Sequence, residues 1–366
     1  MKVGVLGGGQ LARMLALAGR PLGLDFAFLD PAADACAFAL GRGLQGDYDD
    51  PACLDELAEF AEVVTFEFEN VPAAVTERLA ARVPVYPPAR ALAVAQDRLL
   101  EKSMFRELGI GTPEFRAIDA RGDLDRAAAE LGFPFVLKTR HEGYDGKGQR
   151  LLREAGELDA AWEQLGGRPL IAEAFVHFER EVSVIAVRAR DGEVRCYPLA
   201  ENEHEDGILA VSRSRPEDPL AEQAQRAAEK LLHQLDYVGV LTLELFDCGG
   251  SLLANEFAPR VHNSGHWTIE GTTISQFENH LRAVCGLPLG CTRARGRVAM
   301  LNLIGELPPL EPLLALSDVH LHLYDKAPRP GRKIGHLTVW GEDDAQLAAR
   351  FAEACAHAGR APHPLG

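Results

Sequence analysis

No window of the sequence approaches the ~20 apolar residues of a membrane helix. The opening MKVGVLGGGQ leads directly into a strand-and-turn pattern, without the apolar region and cleavage site of a signal peptide. None of the seven cysteines (Cys36, Cys53, Cys196, Cys248, Cys285, Cys291, Cys355) is spaced C-x-x-C, and their odd number argues against a disulfide framework. We expect free, buried thiols and a soluble protein of the reducing cytoplasm. Internal repeats and low-complexity segments are also lacking. Basic residues are outnumbered, 38 Lys+Arg against 54 Asp+Glu, for a formal charge of −16. A surface of that sign repels phosphate backbones and anionic headgroups, so neither nucleic acid nor a membrane is expected as a partner. A compact anion remains admissible wherever cations converge locally.

The chain has 366 residues, 47% of them hydrophobic, more than one core usually spans. Lys2 to Leu6 reads as a strand, Gly7-Gly8-Gly9 as a tight turn and Gln10 to Leu22 as a helix. Strands at Asp25 to Leu29 and Val63 to Phe68 alternate with helices at Pro51 to Phe60 and Pro72 to Ala81, which implies a parallel sheet covered on both faces. This first unit is placed at residues 1–95. From Arg98 the pattern is α+β: helices at Arg98 to Leu108, Leu124 to Leu131 and Pro219 to Leu235, and strands at Pro134 to Lys138 and Gln149 to Arg153. A hairpin of Val182 to Ala189 and Glu193 to Leu199 is expected to turn in two residues through Asp191-Gly192. Another runs Val240 to Phe246, turns through Asp247 to Gly250 and returns as Leu252 to Phe257. A small third unit, residues 297–366, carries strands at Val298 to Ile304, Val319 to Tyr324 and Ile334 to Trp340 before a helix at Asp343 to Ala356.

Four constellations carry chemistry. Gly7-x-Gly9-x-x-Ala12, with Asp30 ending the next strand, fits a dinucleotide fingerprint, although any tight strand-to-helix turn wants glycine. Lys138 ends an apolar strand and is followed by Gly143-Tyr144-Asp145-Gly146-Lys147-Gly148, a loop able to fold N–H groups over phosphates. It lacks Walker A spacing and reads as a flap between two strands, or else as an ordinary flexible hairpin. Glu244 and Glu256 are spaced symmetrically about the second hairpin's turn, which sets them opposite one another at roughly 4.5–5.5 Å between Cβ atoms. Two carboxylates so placed need a cation and suit Mg²⁺, with Asn255 as a further oxygen ligand; a register slip would instead put one of them in solvent. The run Arg260-Val261-His262-Asn263-Ser264-Gly265-His266-Trp267-Thr268 is too polar to bury itself without partners and reads as a substrate loop. There is no G-x-S-x-G elbow, and the glycine between His262 and His266 argues against a helical zinc pair.

With GGGQL at Gly7 to Leu11, FEFENV at Phe66 to Val71, Asp97-Arg98 with Lys102, KTRHEGYDGKGQ at Lys138 to Gln149, NEFAPRVHNSGHWT at Asn255 to Thr268 and GRKIGH at Gly331 to His336, the chain resembles the ATP-grasp superfamily. Within it, the motifs are similar to those of the 5-(carboxyamino)imidazole ribonucleotide synthases of bacterial purine biosynthesis. The resemblance implies an ATP-grasp domain at 96–296 with a flap at 140–149, between a Rossmann-like first domain and a small third one. It also implies a carbon–nitrogen ligase: bicarbonate attacks the γ-phosphate of ATP, and the exocyclic amine of 5-aminoimidazole ribonucleotide takes the carboxyl group from carboxyphosphate, via CO₂.

On matching positions, Arg98 and Lys138 would contact ATP phosphates under Gly143, Tyr144, Asp145, Gly146, Lys147, Gly148 and Gln149. Glu173, Ala174, Phe175 and Val176 would hold adenine, Glu181 the ribose, with His204 nearby and Asn255 and Glu256 completing the ATP site. Glu244 and Glu256 would hold Mg²⁺. Arg260 and His262, with Tyr144, Asp145 and Lys147, would act on bicarbonate and the imidazole nucleotide. Asn263 and Ser264 would face that nucleotide, Arg332 and Lys333 its 5′-phosphate, and Gln10, Leu11 and Glu67 would bring in the first domain. A homodimer is the implied assembly. The flap departs from the usual R-G-G-Y-D-G-R-G at His141 and Glu142 and at Lys147, where lysine keeps the charge and loses the bidentate fork. A formate-using glycinamide ribonucleotide transformylase, a biotin carboxylase subunit, a dehydrogenase and a regulatory nucleotide-binding module are the competing readings.

Overall fold

The computed structural model describes residues 1–141 and 148–361. The first sheet is parallel, in the order β3-β2-β1-β4, from β1 (Lys2–Leu6), β2 (Asp25–Asp30), β3 (Arg42–Gln45) and β4 (Val63–Phe66). The edge strand β3 is too short and glycine-rich to read from sequence. Its neighbours are the buried apolar runs that a sheet covered on both faces demands. The helix expected at Gln10 to Leu22 is α-helical only over Gln10–Gly19; Pro21 then tightens Arg20–Leu22 into one 3₁₀ turn.

A second, antiparallel sheet of order β5-β8-β6-β7 contains β5 (Phe115–Ile118), β6 (Phe135–Thr139), β7 (Gln149–Leu152) and β8 (Leu170–Ala174). The loop between β6 and β7 holds Glu142 to Lys147, so the expectations for Gly143, Tyr144, Asp145, Gly146 and Lys147 lie outside the described residues.

The largest sheet contains β9 (Arg180–Arg188), β10 (Val194–Cys196), β11 (Leu199–Glu205), β12 (Ile208–Arg215), β13 (Gly239–Asp247), β14 (Leu252–Ala258), β15 (Arg297–Ile304), β16 (Val319–Leu323) and β17 (Lys333–Gly341). Its order is β14-β13-β9-β11-β12-β15-β17-β16, with β10 also on β9. Thus the sheet runs unbroken from the acidic hairpin to the C-terminal strands through the β12–β15 pairing.

Two hairpin expectations change. The β9–β10 loop takes three residues, Arg190 to Gly192, because Ala189 N–H bonds Glu193 O and only Gly192 has positive φ (92°). Glu193 to Leu199 is not one strand, since Tyr197-Pro198 interrupts it and β11 then begins. The two-residue turn lies instead at Asp206-Gly207, both at positive φ (49° and 77°), between β11 and β12. That turn carries the same Asp-Gly signal and was not assigned from the sequence.

The helix Gln10–Gly19 buries Leu11, Met14 and Leu15 in an apolar cluster shared with Ile185, Val240, Trp267, Phe277 and Leu281, which welds the first unit to the large sheet. Among the described residues no helix is long and apolar enough to cross a membrane. The cysteines are free, but only Cys36, Cys285 and Cys355 are buried; Cys53, Cys196, Cys248 and Cys291 are half-buried.

Candidate active site

The acidic hairpin fixes the centre of the site. Glu244 pairs with Glu256, and the ladder slips between Glu244 and Leu245, which leaves Asn255 as the extra residue of a β-bulge. Helix Arg98–Glu107, capped by Asp97, lies along β14 and pins the bulge. Glu101 accepts the Phe257 N–H at 2.7 Å, while Lys102, 1% exposed, donates to Asn255 O at 2.6 Å and Ala254 O at 3.2 Å. The same ammonium lies 3.4 Å from Glu173, which also takes Lys138 at 3.1 Å. Burial would raise the Glu173 carboxyl, but Lys102, Lys138 and Arg98 outweigh it and bring it down to about 2. Its side chain is therefore committed to two lysines, which leaves its backbone, with Ala174, exposed Phe175 and half-buried Val176, to face a base.

Arg98 reaches Thr139 O at 3.3 Å and Glu256 at 3.9 Å. Burial and the facing Glu244 nonetheless raise the proton affinity of Glu256. On the other flank His262 Nε2 lies 3.1 Å from Glu244. Burial alone would raise Glu244, but His262, His204 and Arg260 prevail and bring it to about 2. His204 Nδ1 meets Glu181 at 3.0 Å. Glu181, His204 and Glu244 form a cluster whose ligand atoms lie within 4.8 Å of one another. Gln149 pairs with Lys138 across β6 and β7, and Gly148 O accepts the Thr139 N–H, so the flap is rooted at the lysine.

The run from Arg260 to Thr268 corrects its expectation. Ser264, Gly265, His266, Trp267 and Thr268 are buried; only Arg260, His262 and Asn263 are half-buried. The polar partners that burial requires come from elsewhere in the chain. Gln276 grips the His262 backbone on both sides, at 3.0 and 2.6 Å, and His266 Nδ1 bonds His262 O at 3.1 Å. Asn263 exchanges amide hydrogen bonds with Asn302 at 3.1 and 2.7 Å, and Ser264 is enclosed by Ser183 and Ser212. Ser264 is thus closed in on the protein side, while half-buried Asn263 spends one N–H and one lone pair of its amide on Asn302. Arg260 pairs with Glu69 at 2.7 Å.

Carboxylates already occupy the glycine turn. Asp30 accepts the Gly8 N–H and Glu67 the Gly9 N–H, each at 2.7 Å, and a Cβ on Gly7 or Gly9 would strike Glu67. A pyrophosphate approaching those amides would meet two acids, which removes the dehydrogenase reading. Burial raises Glu67, opposed by Gly9, Lys326 and Arg260. Leu11 is buried in the apolar core, so only its backbone can face a ligand. Gln10 receives a hydrogen bond from Lys326, a residue that reasoning from sequence passed over. Lys326 lines an open cavity of about 500 Å³ with Arg13, Leu323, Asp325 and Ile334. Arg332 donates to Ala327 O at 3.2 Å in the same loop, and Lys333 opens β17. The signal for Lys326 was the cation-rich stretch Asp325 to Lys333, which reads as turns because of its prolines. Gln276 gave no such signal, and Lys102 entered only through its motif with Asp97-Arg98, not for its hold on the bulge.

Residues 103–277 match the ATP-grasp domain, residues 1–96 the ribonucleotide synthetase preATP-grasp domain, and residues 298–350 the phosphoribosylaminoimidazole carboxylase C-terminal domain. The chain is 56% identical over 353 residues to the N5-carboxyaminoimidazole ribonucleotide synthase of Pseudomonas aeruginosa, covering 96% of this chain and 98% of that one. Among solved structures, N5-carboxyaminoimidazole ribonucleotide synthetase from Thermus thermophilus superposes with a TM-score of 0.95 at 51% identity, over 99% of each chain. The Aspergillus clavatus synthase, in complex with ADP and 5-aminoimidazole ribonucleotide, does so with a TM-score of 0.90 at 33% identity, over 98% of each chain.

Proposed function

The chain belongs to the N5-carboxyaminoimidazole ribonucleotide synthases of the ATP-grasp superfamily, and we propose that it carboxylates 5-aminoimidazole ribonucleotide with bicarbonate at the expense of ATP. The observation that carries this reading is the facing pair Glu244 and Glu256, with Arg98 and the Glu173-held Lys138 gathered beside it. Phosphoryl transfer is mostly positioning and charge neutralisation, and these are its parts.

In this reading Arg98 and Lys138 bind the ATP phosphates, while the flap through Gly148 and Gln149 closes over them. The backbone from Glu173 to Val176 receives adenine, with Glu181 and His204 at the ribose. Glu244 and Glu256 fit a divalent cation, since burial and mutual repulsion leave Glu256 with excess proton affinity. Mg²⁺ held there would neutralise phosphate charge. A bicarbonate oxygen attacks the γ-phosphorus and ADP leaves. Carboxyphosphate releases its carboxyl carbon to the imidazole nucleotide's amine, which loses a proton, and inorganic phosphate departs. Arg260, freed from Glu69, neutralises the carboxyphosphate. Lys326, Arg332 and Lys333 are proposed to hold the 5′-phosphate, with Gln10, the Leu11 amide and Glu67 on the facing side.

The division at 95/96 and 296/297, a homodimer and a cytoplasmic location belong to the same reading and rest on the family resemblance. The test is ADP release from ATP by the purified chain. Release dependent on both bicarbonate and 5-aminoimidazole ribonucleotide, with formation of the carbamate, supports the reading; equal turnover with glycinamide ribonucleotide and formate overturns it.

A further inference from the structure

Arg260 is the cation assigned to the carboxyphosphate, yet its guanidinium is already in use. Nη1 donates to Val261 O at 3.1 Å, and Nη2 lies 2.7 Å from Glu69 Oε2, with the arginine side chain 16% exposed and the glutamate 32%. Glu69 belongs to the first unit, in the loop that follows β4. The backbone of that loop is pinned. Gln96 spends both N–H groups of its side-chain amide on it, at 2.8 Å to Glu69 O and 2.6 Å to Val71 O. Val71 is buried, and on the other side the Glu67 N–H bonds Leu6 O at 3.0 Å while its carboxylate takes the Gly9 N–H. The loop therefore holds its place while the Glu69 side chain, about a third exposed, has solvent to turn into through its own rotamers.

The position that Glu69 fills lies at the centre of the site. Arg260 is near enough for its charge to be felt by Glu244 and Glu67, and Glu69 near enough to be felt by Glu256. A glutamate carboxylate and bicarbonate offer a guanidinium the same planar O–C–O edge with the same single charge. Bicarbonate that reaches Arg260 takes the place of Glu69, and a half-buried ion pair with a solvent-facing partner is weak enough to give way.

We propose that Glu69 is a displaceable internal anion: it occupies the bicarbonate position on Arg260 in the empty site, swings out when bicarbonate arrives, and so sets the enzyme's affinity for that substrate. The proposal rests on the ligase reading for the identity of the incoming anion. Where the binding-competent state of a site is only partly populated, the apparent affinity falls by that fraction. Removing the carboxylate should therefore tighten bicarbonate, whereas a residue needed merely to hold Arg260 in place would weaken it when removed.

The test varies bicarbonate in steady-state assays of the full-length protein. Glu69→Gln keeps the shape and removes the charge, and KM for bicarbonate should fall about 5-fold with KM for ATP unchanged. Glu69→Asp keeps the charge and draws the carboxylate back by one methylene, so KM for bicarbonate should fall here too. An unchanged or raised KM in Glu69→Gln overturns the proposal. So does a fall confined to Glu69→Gln, which would make the field of Glu69 the cause and not its occupancy of the position. Melting curves of the nucleotide-free protein supply a readout independent of turnover. With sodium bicarbonate titrated against sodium chloride at fixed ionic strength, the half-maximal stabilisation of Glu69→Gln should come at about 5-fold lower bicarbonate than that of the wild type. Equal midpoints, or no response in either protein, overturn the proposal. Wild-type protein that turns over without bicarbonate overturns the ligase reading instead, and the midpoints still decide whether Glu69 competes with the anion.

Discussion

Glu244 and Glu256 face each other across β13 and β14, and the ladder slips by one residue immediately on their turn side, at Asn255. Lys102 holds the two carbonyls at that slip, so the acidic pair and its bulge are set by a buried ammonium on the helix Arg98–Glu107. Glu256→Gln should therefore fold and lose Mg²⁺-dependent turnover. Its proton affinity is raised by burial and by Glu244. A carboxyl raised in the folded state contributes stability that is complete below its unfolded pKa of about 4.3 and is lost as pH rises through the folded value. Glutamine copies the protonated form. In metal-free buffer at neutral pH the variant should melt above wild type, with the gain vanishing in acid; equal melting temperatures at all pH values would contradict the assignment.

Glu173 joins Lys102 and Lys138 in the interior, at 4% exposure against 1% and 16%. Glu173→Gln strands Lys102 without its counter-charge, which should cost about 3 kcal/mol or more in chemical denaturation. With the carboxyl held at about 2, the stabilisation is complete above about pH 4.3 and disappears as pH falls through about 2. Wild type and variant should converge over that window.

His280 ties the first unit to the large sheet: the Val240 N–H donates to Nδ1 at 3.1 Å, so Nε2–H donates to Thr65 Oγ1 at 2.8 Å. Burial lowers its pKa to about 3, against about 6.5 unfolded. The unfolded chain takes up the proton first, so stability falls as pH drops from about 6.5 toward about 3. His280→Gln keeps a donor and an acceptor but does not titrate. Its stability curve, followed by thermal melts, should be flatter over that range.

Lys326 lines the cavity, bonds Gln10 and has a lowered pKa from burial, offset by Cys36, Glu67 and Asp30. Lys326→Ala should raise KM for the aminoimidazole nucleotide about 10-fold, the worth of one charge-assisted hydrogen bond, with KM for ATP unchanged. Steady-state kinetics with each substrate varied separates the two.

What could be read from the sequence was what is local. The turn Asp247 to Gly250 set Glu244 opposite Glu256 to within one residue, and the bulge at Asn255, on the turn side of the pair, supplies that residue. Strand alternation gave β1, β2 and β4, and helical spacing gave Arg98–Glu107. The rest is non-local. Ser183 lies in a run read as an apolar strand, and its partners Asn202, Ser212 and Ser264 come from three other segments. The polarity of Arg260 to Thr268 looked like exposure, whereas Gln276 and Asn302 satisfy it from within. Continuity of the sheet across β12 and β15 depends on a pairing between residues about ninety apart, which no local pattern records.

The central claim is that bicarbonate attacks ATP before carbon reaches the amine. Bicarbonate labelled with ¹⁸O tests it directly, by mass spectrometry of the inorganic phosphate released in the presence of 5-aminoimidazole ribonucleotide. Attack at the γ-phosphorus followed by departure of phosphate should leave one ¹⁸O atom in each phosphate formed. Phosphate free of label, formed at the same rate, would contradict it.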